Sequence, residues 1–195
     1  MAASSFPRSV DAANARVRLH ALGAGAFAHV NGTLEAHLLG TERLLRGFRN
    51  DEAVCLAGLY HAVYGTDGIT GTLLAPADEE RRSIAALVGD EAESLAWLYG
   101  ACDRERFHPR IGTPSQHLFA DRFSNANYWI DDVQLCAFCE ITVANEVELA
   151  HANSRFAARH ARRLAELFAR MRPLVSEAAY AMAREIFGEP VERGT

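Results

Sequence analysis

Two histidines, His37 and His61, bracket the stretch HLLGTERLLRGFRNDEAVCLAGLYH, and the turn residues Tyr64 and Thr66 follow within five positions. Imidazoles titrate near neutral pH, so a facing pair can trade protons. His61 ends the apolar run Ala57-Gly58-Leu59-Tyr60. A histidine there must find a partner, since an unsatisfied buried polar group costs about 1–3 kcal/mol. Tyr64 and Thr66 offer hydroxyls to orient a substrate or stabilise developing charge. His37, Ala36, Leu38 and Leu39 read as a pocket wall, and His29, Thr33, His37 and Thr41 recur every four residues. That spacing predicts one polar ridge along a helix, with His29 either in the site or facing water. Further along, Asn145 can donate and accept at once, which suits an amide, a carboxylate or a sugar. Glu148, three residues later, shares a similar helix face. Arg104 could hold an anionic group. With Asp103, Asp121 and Arg122 it forms either a charged gate or a set of surface ion pairs. The candidate catalytic residues are therefore His37, His61 and Tyr64. The candidate substrate-binding residues are His29, Thr33, Thr41, Thr66, Asn145, Glu148 and Arg104.

The elements that must position these groups read as helices. The expected fold is all-α, a single helical bundle over residues 1–195, with its core at about 27–155 and C-terminal helices over 154–188. Helices are expected at Asp11–Leu22, Phe27–Gly47, Glu52–Val63, Asp78–Val88, Glu91–Ala101, Ile130–Asn153, Ser154–Met171 and Pro173–Phe187. Leu34, Leu38, Leu44, Leu45 and Phe48 give the second its apolar stripe. Asp51 and Asp78 suit N-caps, Gly89 a break, and Pro173 a helix start. Residues 104–124, with Pro109, Gly112 and Pro114, form the longest irregular stretch and a candidate rim. Strand signals are nearly absent.

Composition removes several classes of function. At 195 residues and 49% hydrophobic, the chain can bury one full core. No apolar run approaches the roughly 20 residues of a membrane span. The first residues lack the apolar core of a secretory signal, so the cytoplasm is the expected compartment. A net charge of −5 argues against a nucleic-acid partner. Every one of the 20 basic residues is Arg. Without lysine, the chain has no Walker-type phosphate loop, Schiff-base lysine or pyridoxal-phosphate anchor. Cys136 and Cys139 form a C-x-x-C inside a helical run, with no second pair to complete a zinc site. All four cysteines read first as small buried hydrophobes. The arginines at 155, 159, 162, 163 and 170 read as a solvated face or a homodimer surface.

AGLYHAVYGTDGIT resembles the "ALLHDxxED" segment of the HD-domain superfamily, especially the guanosine-tetraphosphate hydrolase domains of stringent-response enzymes. His37 sits where that family places its first metal-ligating histidine. RRSIAALVGDEAESLAWLYGACDR is similar to the family's helix pair around "FGxxVAxLVxxVTK", and ITVANEVELAHA falls at the position of "KLADRLHN". The resemblance covers roughly residues 30–155, in the family's order, and implies an HD-like helical core. Carried over by position, the family's metal ligands become His37, His61, Ala62 and Asn145. Both carboxylates are lost, and the acidic pair that follows is replaced by Tyr64 and Gly65. Hard ions want anionic oxygens and zinc wants at least three good donors. The resemblance therefore implies a degenerate centre, and neither a metal ligand nor a cofactor is assigned. Glu140, Glu148 or His151 could supply a replacement ligand, which would restore hydrolase or oxygenase chemistry.

Two functions of different class follow. One is an enzyme using His37, His61 and Tyr64 for acid–base work on a small molecule, as a lyase, isomerase or hydrolase. The other is a non-catalytic pocket that senses or carries a metabolite. Several titratable groups aimed at one spot favour the enzyme.

Overall fold

The computed structural model describes residues 12–29 and 32–190, and about 65% of the chain is helical. The fold is all-α, as expected. Nine α-helices lie among the described residues: α1 (Ala12–Ala21), α2 (Leu34–Gly47), α3 (Glu52–Tyr60), α4 (Asp78–Val88), α5 (Asp90–Ala101), α6 (Arg104–Phe107), α7 (Asp132–Ala152), α8 (Ser154–Met171) and α9 (Glu177–Phe187). Two small antiparallel hairpins accompany them: β1 (Ala28–His29) with β2 (Gly32–Thr33), and β3 (Leu118–Asp121) with β4 (Ala126–Trp129).

Helix α7 is the axis of the molecule and packs against α2, α3, α5, α8 and α9. Its sequence explains this place. Leu135, Phe138, Cys139, Ile141, Val143, Ala144 and Val147 are all buried, on several faces, so the helix must be surrounded. A capping box of Asp131 and Gln134 fixes its start. Helix α3 is likewise buried from Cys55 to Tyr60. Gly58 lets it lie close to α2, since a Cβ there would sit 2.1 Å from Leu45 Cδ1. That close approach brings the two candidate histidines within reach of each other.

Several sequence expectations need correction. The helix expected at Phe27–Gly47 begins only at Leu34, because Gly32 takes φ +129° and Thr33 is the N-cap, its hydroxyl accepting from Ala36 N–H. The pairing of Ala28–His29 with Gly32–Thr33 overrode the four-residue spacing. The polar ridge therefore does not exist as such. Helix α3 stops at Tyr60, with His61 as its C-cap. Pro173 opens only a 3₁₀ turn at Arg172–Leu174, and α9 starts later behind the Ser176 cap. The rim at 104–124 contains α6, a 3₁₀ turn at His108–Arg110, and β3. Strands of four residues are too short for alternation to announce them, but Phe119 anchors β3 against Phe107 and Phe138. Asp11 of the first expected helix lies outside the described residues.

Cys55, Cys102 and Cys139 are buried, Cys136 is half-buried, and all four are free. No helix among the described residues is long and apolar enough to cross a membrane.

Candidate functional site

His37 enters the interior on the first turn of α2 and is held at both ring nitrogens. Nδ1 meets the Glu148 carboxylate in a short contact, and Nε2 lies 3.1 Å from Asn145 Oδ1. Both partners come from α7, three residues apart and so on adjacent turns of one face. With the amide oxygen at Nε2, the ring carries both protons. With the amide turned to present its NH₂, the ring is the neutral Nδ1–H tautomer. Gly40, one helical turn after His37, makes room for the acid, because a Cβ there would meet Glu148 Cγ at 2.7 Å.

His61 follows as the cap of α3. Its ring centroid lies 5.2 Å from that of His37, edge to face. Nδ1–H donates to the Gly58 carbonyl at 2.7 Å, which leaves the Nε2 lone pair free of a proton. Burial, reinforced by the neighbouring His37, lowers its pKa to about 3. At neutral pH His61 is thus a neutral acceptor of fixed tautomer, and it does not exchange protons freely with His37 in the resting protein. His29 reaches the cluster from β1, its ring stacked on His37 at 4.4 Å. Burial, and then the His37 charge, lowers its pKa to about 4. Its Nδ1 is buried without a hydrogen-bond partner among the described residues.

These rings line a cavity of about 180 Å³, together with Ala62, Thr66, Arg104, Asn145, Glu146 and Leu149. At the ~30 Å³ a water takes in the liquid, that is room for about six waters, or one small metabolite. Phe156 and Arg163 of α8 and the exposed Ile69 stand on the same lining. The Arg104 Nη2 is buried with no hydrogen-bond acceptor among the described residues, while its guanidinium lies 5.2 Å from the centre of the Tyr99 ring. The four positions carried over from the HD-like resemblance, His37, His61, Ala62 and Asn145, all border this one cavity.

Not every candidate belongs here. Tyr64 is buried, and its hydroxyl donates to Glu93 Oε1 at 3.0 Å. Arg81 closes on the same carboxylate at 2.8 Å and 2.9 Å. Burial, and then the charge of Glu93, pushes the Tyr64 pKa upward. A phenol so committed, on the far side of the turn, is a structural donor and not a catalytic group. Thr41 is fully buried and returns its hydroxyl to the His37 carbonyl at 3.0 Å, so it cannot bind a substrate. Thr33 is consumed as the α2 cap. The charged gate also fails to form. Asp103 caps α6, Asp121 accepts from the backbone of Phe123 and Ser124, and Arg122 donates to the Gly100 carbonyl. Only Arg104 of that group reaches the cavity.

The sequence reading missed Glu146, Phe156 and Arg163. Glu146 is buried one position past Asn145, a step of about 100° around the helix, which a three-residue spacing argument skips. A divalent metal, which the HD-like resemblance implies, does not fit these residues. Both nitrogens of His37 and the Nδ1 of His61 are already engaged. No group of three His, Cys, Asp or Glu side chains converges as a metal cage among the described residues.

Residues 18–104 match a family model described as a domain of unknown function (DUF6817). The match runs from α1 to the first residue of α6 and includes His29, His37, His61, Thr66 and Arg104, but not α7. No curated protein and no solved structure matches the chain.

Proposed function

We propose that this protein is a small-molecule enzyme working by acid–base chemistry, with His37 as the proton-transferring group and Glu148 as the residue that orients it. The observation that carries the reading is the Glu148–His37 contact at the wall of a cavity. A carboxylate at one imidazole nitrogen fixes the orientation of the ring, leaving the other edge to act on a substrate. Asn145 holds that edge in the resting protein and is placed to hand its hydrogen bond to a bound molecule. His61, neutral and hydrogen-bonded to Asn145 in the resting protein, serves as an acceptor for a substrate hydroxyl or amine that takes the place of the amide. Thr66 adds a hydroxyl on the cavity wall. Lyase and isomerase chemistry, in which a proton is removed at one atom and returned at another, suits such a set best.

The convergence of His37, His61, Ala62 and Asn145 on one cavity supports reading the scaffold as a divergent HD-type bundle that has exchanged its ion-holders for a hydrogen-bonded histidine. Four free cysteines suit a reducing compartment, and the cytoplasm is our assignment.

The test is a panel of small hydroxy acids, amino acids, sugars and phosphate esters incubated with the full chain in D₂O and followed by proton NMR. Deuterium exchange or conversion of one compound, lost in His37→Ala and in Glu148→Gln and kept in Tyr64→Phe, is the expected pattern. Turnover that survives His37→Ala would contradict the scheme. Saturable binding without exchange or conversion would favour the metabolite-binding alternative.

A further inference from the structure

Beside the histidine cavity lies a second concavity of about 300 Å³, between α6 with its 3₁₀ turn and α8. Arg104, His108, Arg163 and Arg170 line it, with Glu105 and Glu166 on its walls. Arg104 and Arg163 border both hollows, so the two share a wall. Two buried polar atoms here have no hydrogen-bond partner among the described residues, Arg104 Nη2 and His108 Nε2. By contrast, the buried Glu42 carboxylate is met by Arg16 at 2.7 Å. Arg170 donates to the His108 carbonyl at 3.4 Å, and Glu166 accepts from Arg162 at 3.3 Å. Glu146 and Asp67 act on the Arg104 charge from a distance, but a guanidinium nitrogen and an imidazole nitrogen without hydrogen-bond partners among the described residues, flanked by two more arginines, suit an oxyanion.

We propose that this groove binds an oxyanion, a phosphate or a carboxylate, and that it holds the charged end of the molecule whose reacting end lies among the histidines. The second half of the proposal rests on the acid–base reading above; the first half stands on the groove alone. The electrostatics agree. Burial and then the charges of Arg104, Arg163 and Arg170 lower the His108 pKa to about 3, so the ring is neutral, and its Nε2–H tautomer is the one that donates to an anion. An anion lodged there opposes those three charges and must draw the His108 pKa upward.

Inorganic phosphate and sodium acetate, titrated separately into the full chain at constant ionic strength with chloride as the reference, test the groove. The readout is the His108 ring resonance. The expected result is a saturable shift of that resonance at pH 7, where the ring is neutral and both probes are anions. The anion that binds more tightly identifies the group as phosphate-like or carboxylate-like. Arg163→Ala combined with Arg170→Ala, both at exposed positions, should weaken binding about tenfold or more, while Arg170→Lys retains most of it. His37→Gln should leave anion binding unchanged. A response no greater than that to chloride, or equal binding by the double variant, would overturn the groove. If anions bind as expected but no turnover depends on His37, the acid–base reading fails and the groove stands. If turnover depends on His37 while the double variant leaves KM for a charged substrate unchanged, the link between the two hollows is overturned.

Discussion

Two residues separate His61 from Tyr64, yet the two side chains enter interiors of opposite character. On one side of the turn, Tyr64, Glu93 and Arg81 close a loop of hydrogen bonds at 2.8–3.0 Å, and Arg81 lies 4.1 Å from the centre of the Trp97 ring. The cluster ties the turn after α3 to α4 and α5. On the other side, His29, His37 and His61 crowd around a cavity, with a nitrogen on His29 and another on Arg104 that find no hydrogen-bond partner among the described residues. Both clusters are polar and buried, so burial alone does not separate them. What separates them is satisfaction. A finished network rigidifies the fold, whereas an unfinished one beside open space is a place for something else to bind.

The comparison breaks most sharply at His37. His37→Ala should lower turnover of a substrate found in the D₂O screen by about 10²–10⁴-fold, the usual worth of a positioned acid–base group. Its urea midpoint should move little, because Glu148 is left beside the cavity and partly open to water. Acid should come next. His61, His29 and His108 have native pKa values near 3, 4 and 3, all below the ~6.5 of a free imidazole. The unfolded chain therefore binds protons that the native protein refuses. Stability is intact above pH 6.5 and falls as pH drops toward 4, with His61 alone accounting for about 3 kcal/mol by then. Equilibrium unfolding at stepped pH should show the loss, and His61→Gln should flatten it. If wild type and variant fall in parallel, His61 is not buried in its neutral form.

Arg81→Ala is the reciprocal of His37→Ala. It strands the buried Glu93 and should cost about 2–3 kcal/mol, below the 3–5 of a fully buried pair because Arg81 is about a third exposed. Turnover per folded molecule should not change. Tyr64→Phe removes one bond to the same carboxylate, and a loss of about 1.5 kcal/mol with unaltered turnover is expected. A drop in rate would return Tyr64 to the catalytic set. The smallest effect should come from Gly40→Ala, which nudges Glu148 from His37 and slows turnover severalfold with little change in melting temperature.

Much of this division was legible in the sequence, though not for uniform reasons. His37 and His61 were found from their apolar neighbours, and Asn145 with Glu148 from helical spacing. Those signals are local and survived folding. His29 was placed in the site by a helix that does not exist there; a hairpin delivers it instead. Tyr64 was misplaced because a turn, unlike a helix, gives no rule for which way its side chains face. Arg163 and Arg170 sat in an arginine-rich face that looked uniformly solvated, and only the docking of α6 and its 3₁₀ turn onto α8 distinguishes them. Helix positions were readable to within a few residues for α4, α5, α7 and α8, and Gly89 does break α4 from α5, but Asp78, expected as the α4 cap, is its first helical residue behind Ala77. Both hairpins escaped notice because each strand is four residues or shorter.

The most direct test of the buried histidine cluster is the nitrogen-15 NMR spectrum of the imidazole rings, recorded on the full chain from pH 7 down to pH 4. The account predicts that His61 remains neutral throughout, with Nδ1 protonated toward Gly58 and Nε2 bare, while His37 stays coupled to Glu148 through Nδ1. A His61 that takes up a proton with a midpoint near 6.5, like a free imidazole in water, would contradict it.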